Sequence, residues 1–366
     1  MATAADSELQ RDLGEVNFSN PSNSGIELPT DSTRIFTDVN LEREGCQRGY
    51  LGVPISTNES AYGRIQVPII CIKNGDGPSV LLVAGNHGDE YEGQIALMKL
   101  ACSLKPKDIR GRIIFLSAAN LPAVQAGRRN SPLDGGNLNR SFPGRGDGSP
   151  TEMIAHYIEH FLVAQSEWVI DLHSGGFSLV YTPCALVRKE GNIENDRIAA
   201  EALQVFGAPI GYISDGKNGG GERTLAAAAQ RCGAICITAE LGGGGTIRSD
   251  LVALAENGVR RILCYCGALQ SAAPAPERPP RLMEVCGPDY YVFAPQNGLI
   301  EPLADLGDVV TAGRLAALLY APERPWDEPT AVTFRHGGTV ICKRGVGRAS
   351  QGDCLYQIAT DCKTAN

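Results

Sequence analysis

Long apolar runs are absent from this chain: none approaches the ~20 consecutive apolar residues that a membrane helix needs. The first residues, MATAADSELQRDLGEVNFSNPSNSG, lack both a basic stretch and an apolar stretch. No signal peptide is expected there, and residues 1–25 read as a polar tail. Surplus positive charge is also missing. With 33 Lys and Arg against 41 Asp and Glu, the net charge is −8. That is the opposite of the basic footprint of a nucleic-acid binder, so neither nucleic acid nor membrane is an expected partner. Cysteine is plentiful, but close pairs are not. Twelve are scattered from Cys46 to Cys362 without one Cys-x-x-Cys, which removes a zinc ribbon. Most are expected to be buried, reduced thiols, as befits a cytoplasmic protein. Histidine is scarce. Any histidine chemistry must be assembled from His87, His156, His160, His173 and His336.

The chain has 366 residues, 43% of them apolar. That length exceeds a usual single core and predicts one large domain with a smaller one. SVLLVAG (79–85), RIIFLSA (112–118) and EWVIDLH (167–173) are continuous apolar runs, as in strands buried on both faces. Further strands are predicted at 64–73, 181–187 and 234–240. The first of these ends at Asn74-Gly75-Asp76-Gly77, a hairpin-type turn. Helical patterns fit 92–103, 151–164, 194–206, 222–231 and 248–262. Strands alternating with helices predict an α/β domain with a mostly parallel sheet over 26–271. A Pro-rich linker follows at 272–282, then short strands with glycine turns, a small all-β domain over 283–366. Its two halves are similar to those of a biotinyl/lipoyl barrel sandwich, but the lysine hairpin that carries the prosthetic group is absent. This domain is expected to cap or shape a cleft, or to support a homodimer, rather than to carry a cofactor.

Two arrangements of histidine compete for a metal. In the first, His87-Gly88-Asp89-Glu90 directly follows a strand and His173 closes another. Ligands gather at the carboxyl ends of strands in open α/β sheets. Two imidazoles and one carboxylate there leave a fourth position open, the form of a catalytic zinc site. Asp171 shares a strand face with His173 and is placed to orient it. Taken singly, His87 is equally a turn histidine and His173 a satisfied core histidine. The second arrangement, His156-x-x-Glu159-His160, fits the H-x-x-E-H zincin pattern. Its apolar neighbours at 153, 154, 157, 158, 161 and 162 define the buried face, so these polar residues read as a solvated stripe.

Amide hydrolysis also needs a general base. Glu240 ends the apolar run AICITAE, where burial raises a carboxyl pKa toward the working range. Gly242 to Gly245 would let backbone approach a ligand closely. The 128–144 loop carries three arginines, Arg128, Arg129 and Arg140, residues suited to gripping a carboxylate or steadying an oxyanion. Glu240 as an ordinary ion-pair partner, and the arginines as solvated surface groups, are the plainer alternatives.

GNHGDEYEG, NLNRSFPG, DLHSGG and AELGGGG, in that order, resemble the succinylglutamate desuccinylase/aspartoacylase family, a branch of the zinc carboxypeptidase-like hydrolases. The likeness spans roughly residues 45–360. Within the family, NHGDEYEGQIAL, SPLDGGNLNRSFPG and the terminal β domain are most similar to the N-alpha-acetyl-L-2,4-diaminobutyrate deacetylases of ectoine degradation. The resemblance implies an α/β/α sandwich and one Zn2+ per chain, held by His87, Glu90 and His173. It implies Glu240 as general acid/base, Asn139 and Arg140 as the pair gripping the substrate carboxylate, and Arg129, adjacent to Arg128, polarising the scissile carbonyl. The implied partner is a small N-acyl amino acid. The glycine-rich stretch 214–222 offers Asp215 or Glu222 as the acid for its ammonium group, with a solvated surface loop as the plainer alternative. Desuccinylase, aspartoacylase and carboxypeptidase activities share the metal and differ in the acyl pocket. A non-catalytic binding protein on this fold would be expected to have lost a ligand or the base, and all are present.

Overall fold

The computed structural model describes residues 33–362, apart from 190, 215, 217–219 and 277. The polar tail up to residue 25 and Asp215 therefore lie outside the described residues. Among the described residues, no helix is long and apolar enough to cross a membrane.

Strand Ser79–Ala84 shows why the centre folds as it does. Its six residues are all buried. Side chains alternate between the faces of a strand. Val80, Leu82 and Ala84 accordingly join one core, with helices Tyr91–Ser103, Ile193–Phe206 and Ser249–Tyr265. Leu81 and Val83 join a second core on the opposite face, with Met153, Ile154, Leu225 and Ala228. Helices on both faces make an α/β/α sandwich. The strand runs parallel to both neighbours, Gly111–Leu116 and Trp168–His173. Trp168–His173 is in turn parallel to Ile235–Glu240. The parallel centre is joined antiparallel to the strand on either border, so the sheet as a whole is mixed.

Three sequence expectations need correction here. The turn after Gly63–Asn74 does not close a hairpin, because Gly111–Leu116 inserts between that strand and Ser79–Ala84. Gly63–Asn74 is antiparallel to both its neighbours, Gly45–Ile55 and Gly111–Leu116. The strand expected at 181–187 is two strands, Leu179–Tyr181 and Cys184–Arg188. Pro183 lies between them, and a proline cannot donate to a ladder. The cysteines are not mostly buried: Cys71, Cys184, Cys236 and Cys342 are, whereas Cys46, Cys102, Cys232 and Cys286 are exposed.

The C-terminal strands do not stand apart from the main sheet. Arg281–Val285 pairs in parallel with Ile210–Ser214 and antiparallel with Cys354–Asp361. Gly338–Arg344 pairs with Cys354–Asp361 on one side and with Leu179–Tyr181 on the other. A second sheet of four strands, Thr330–Thr333, Leu315–Tyr320, Gly298–Pro302 and Arg348–Ala349, completes the β region. One core joins Tyr212 of the main sheet to Val292, Phe334 and Tyr356. Lys343 lies within a strand and pairs with Asp305 at 2.7 Å.

Candidate active site

Three chain segments bring His87, Glu90 and His173 together. His87 sits in the turn after Ser79–Ala84, and His173 is the last residue of Trp168–His173. Glu90 is the N-cap of helix Tyr91–Ser103, with its side chain free of any capping bond. Two glycines allow this convergence. A Cβ on Gly88 would lie 1.9 Å from the Ala123 carbonyl oxygen, so the turn can press against that segment only as glycine. A Cβ on Gly93 would lie 2.5 Å from the Leu172 Cβ, so the helix lies tightly on the strand that ends in His173.

All three side chains are buried, and their ligand atoms lie within 4.8 Å of one another. Each imidazole nitrogen faces an oxygen. His87 Nδ1 is 2.7 Å from Glu90 Oε1, and His87 Nε2 is 3.1 Å from Asn137 Oδ1. His173 Nδ1 is 2.7 Å from Glu90 Oε2, and His173 Nε2 is 2.9 Å from Asp171 Oδ2. The other Asp171 oxygen accepts from Asn86 Nδ2 at 2.8 Å. A neutral imidazole has one N–H. If the Nε2 atoms donate outward to Asn137 and Asp171, both Nδ1 lone pairs point at a carboxylate, an arrangement that calls for positive charge between them. Protons do not serve equally at both. Burial pushes the His87 pKa down, against the pull of Glu90. Burial also opposes charge on His173, but Asp171 and Glu90 outweigh it and push that pKa well up. Burial alone would raise Glu90; the two histidines hold it far below the usual carboxylate range. Two nitrogens and a carboxylate, buried and oriented from behind, are a donor set that fits a divalent cation such as zinc.

The cluster opens into a cavity of about 490 Å³. Arg129, Asn139, Arg140, Asp171 and Glu240 all line it, with the three cluster residues. Arg129 Nη1 lies 3.4 Å from Glu90 Oε1, whereas Arg128 does not border the cavity. Asn139 is pinned by Leu225, whose N–H donates to its Oδ1 at 2.8 Å, and its Nδ2 lies 3.3 Å from His173 Nε2. Arg140 Nη1 donates to the Asn139 carbonyl at 2.6 Å, which leaves further donors of its fork for a ligand. Glu240 ends its strand opposite His173 in the ladder. Burial, helped by the nearby charge of Glu90 and opposed by His173, pushes its pKa up to about 8, and its Oε2 has no hydrogen-bond partner.

Other expectations fare differently. Gly242 to Gly245 all have positive φ, but they approach protein backbone rather than the cavity. A Cβ on Gly243 would be 2.3 Å from the Leu179 oxygen, and Gly244 N–H donates to that oxygen at 2.8 Å. In the His156, Glu159, His160 stripe only His160 is even partly exposed. His156 is 2% and Glu159 3% exposed, and Arg231 grips Glu159 through two 2.8 Å bonds. Glu222 is exposed, outside the cavity lining and paired with Arg188. Sequence reasoning missed Asn86 and Asn137, the partners of the histidine system. It also missed Tyr181, Arg188, Tyr212, Tyr291 and Gln357 in the cavity wall. Asn137 stands inside the quoted loop, where a polar residue two before Asn139 was a usable signal.

Fold and site together define the zinc-carboxypeptidase-like class. The chain belongs to the succinylglutamate desuccinylase/aspartoacylase family: the profile of the succinylglutamate desuccinylase/aspartoacylase catalytic domain matches residues 76–266. Among its relatives is the N-alpha-acetyl-L-2,4-diaminobutyric acid deacetylase of Halomonas elongata, 39% identical over 325 residues, 89% of this chain and 94% of that protein. The product-bound structure of the ectoine utilization protein EutE (DoeB) from Ruegeria pomeroyi superposes with a TM-score of 0.85 at 35% identity, covering 90% of this chain and 100% of that one. A succinylglutamate desuccinylase/aspartoacylase from Rhodobacter sphaeroides gives 0.85 at 34% identity, with the same coverage.

Proposed function

We propose that this chain is a zinc-dependent amide hydrolase that deacetylates N-alpha-acetyl-L-2,4-diaminobutyrate, releasing acetate and 2,4-diaminobutyrate. The observation that carries this reading is the convergence of His87, Glu90 and His173 with Glu240, Arg129, Asn139 and Arg140 on one cavity. The 39% identity to the Halomonas elongata deacetylase supports the choice of substrate.

His87, Glu90 and His173 would hold one zinc ion, with Asp171 and Asn137 orienting the imidazoles. When bound, the ion polarises the acyl carbonyl and acidifies water. Glu240 takes the proton from the attacking water and returns it to the leaving amine, work that suits a carboxyl with a raised pKa. Arg129 steadies the oxyanion. Asn139 and Arg140 hold the amino-acid carboxylate. Arg188 also lines the cavity, but the Gly221 carbonyl and Glu222 already engage its guanidinium. Glu222 offsets its charge, while its buried Nε remains a donor without a hydrogen-bond partner.

The test is a product assay across N-acetyl-diaminobutyrate, N-acetyl-aspartate, N-succinyl-glutamate and a short peptide. The first should give the highest kcat/KM. A tenfold preference for either diacid, ~1.4 kcal/mol in transition-state binding, overturns the substrate assignment.

A further inference from the structure

The cavity has two chemically different walls. One is crowded with donors: Arg129, Asn139 and Arg140. The other is a row across the sheet. Tyr291 and Gln357 are register partners, Gln357 pairs next with Cys342, and Cys342 with Tyr181. Side chains in one such row share a face. Tyr181, Tyr291 and Gln357 all border the cavity, while Tyr356, the neighbour of Gln357, turns the other way and donates to the Ala304 carbonyl at 3.1 Å.

Gln357 is the informative member. It is 3% exposed, although it lines a cavity. Its Nε2 donates to the Tyr291 hydroxyl at 3.2 Å. Its carbonyl oxygen makes no hydrogen bond among the described residues and is left as an acceptor on the cavity side.

We infer that Gln357, with the rings of Tyr181 and Tyr291, forms the subsite for the side-chain ammonium of the substrate. The inference rests on the function proposed above and deepens it. Among the described residues, the carboxylates that line the cavity are Glu90, Asp171 and Glu240. The first two are committed to the histidines, and Glu240 to the proton of the reaction. A cationic side chain is therefore met by a neutral carbonyl and aromatic faces, both of which attract an ammonium. The same carbonyl repels a carboxylate, so the row selects against diacids as well as for the amine.

The experiment compares N-acetyl-2,4-diaminobutyrate with N-acetyl-2-aminobutyrate, which lacks the ammonium. Gln357→Met removes the acceptor at similar volume. It should lower kcat/KM for the diamino substrate about 10- to 100-fold more than for the analogue, the worth of one hydrogen bond to a charged group. Gln357→Glu restores an acceptor and should restore the preference for the diamino substrate. Thermal melts and metal content monitor the fold of both variants. Equal losses on both substrates, or a Gln357→Glu variant as indifferent as Gln357→Met, overturn the subsite alone. A wild-type enzyme that leaves N-acetyl-2,4-diaminobutyrate uncleaved overturns the proposed function, and the subsite with it.

Discussion

Replacing Glu240 by Gln tests two consequences of one geometry. The carboxyl group ends a buried strand, and its Oε2 bonds to nothing. The amide fills the same space without breaking a hydrogen bond to that oxygen, so the fold should survive. Turnover should not. Loss of general acid/base help is worth ~10²–10⁴-fold, or ~2.7–5.5 kcal/mol of transition-state stabilisation. Zinc content should stay that of the wild type.

The second consequence is a pH signature in the metal-free protein. Glu240 is raised from 4.5 to about 8, by burial first and then by the charge of Glu90. An acid with a raised folded-state pKa stabilises the fold fully below its unfolded pKa and loses that contribution as pH climbs through the folded value. The window is therefore pH 4.5 to about 8. A shift of that size is worth at most roughly 5 kcal/mol, and water in the cavity screens it to about half. With a chelator present, urea denaturation at pH 5 should find the two proteins equally stable. At pH 9 Glu240→Gln should be the more stable by about 2–3 kcal/mol. Zinc adds positive charge beside Glu240 and should shrink that gap. A variant with near-normal kcat removes Glu240 from the mechanism. A stability difference that is flat from pH 5 to pH 9 refutes the claim that burial raises the Glu240 pKa.

Two further outcomes separate the competing histidine arrangements. Elemental analysis should find about one zinc per chain; His87→Ala should lose it and His156→Ala should keep it, and the reverse pattern would move the metal to the helix. Arg231→Ala should strand Glu159, which is only 3% exposed, and cost about 3–5 kcal/mol in chemical denaturation without loss of zinc; a neutral result would mean that the pair is structurally idle.

The parts of the site that were legible in the sequence are those set by local rules. A buried strand followed by His-Gly-Asp-Glu, and another ending in Asp-Leu-His, place candidate ligands at strand ends wherever the strands lie in the sheet. Hence His87, Glu90, His173 and Glu240 could all be found before any tertiary contact was known. What failed depended on neighbours distant in the chain. His156 and Glu159 look solvated on a helical wheel, but helix Leu225–Arg231 brings Arg231 over Glu159 from 72 residues away. Gly242 to Gly245 look like a ligand loop, but what they admit is the backbone of 175–179. The hairpin after Gly63–Asn74 failed for the same reason: a turn sequence specifies a bend, and Gly111–Leu116 takes the pairing position.

The division between local and long-range determinants also divides the proposed chemistry. The three cluster residues, Arg129, Asn139, Arg140 and Glu240 all lie within residues 76–266, the span that matches the family's catalytic domain. Tyr291 and Gln357 lie beyond it, and reach the cavity because Gly338–Arg344 pairs with Leu179–Tyr181. A reaction shared by deacetylases, desuccinylases and aspartoacylases needs the first set in fixed geometry. A choice among their substrates needs a wall that can vary without disturbing the ligands, and a separate run of strands supplies such a wall. Substitutions in Tyr291–Phe293 and Cys354–Asp361 that preserve the ladder should therefore alter which acyl amino acid is cleaved more than how fast the best one is cleaved.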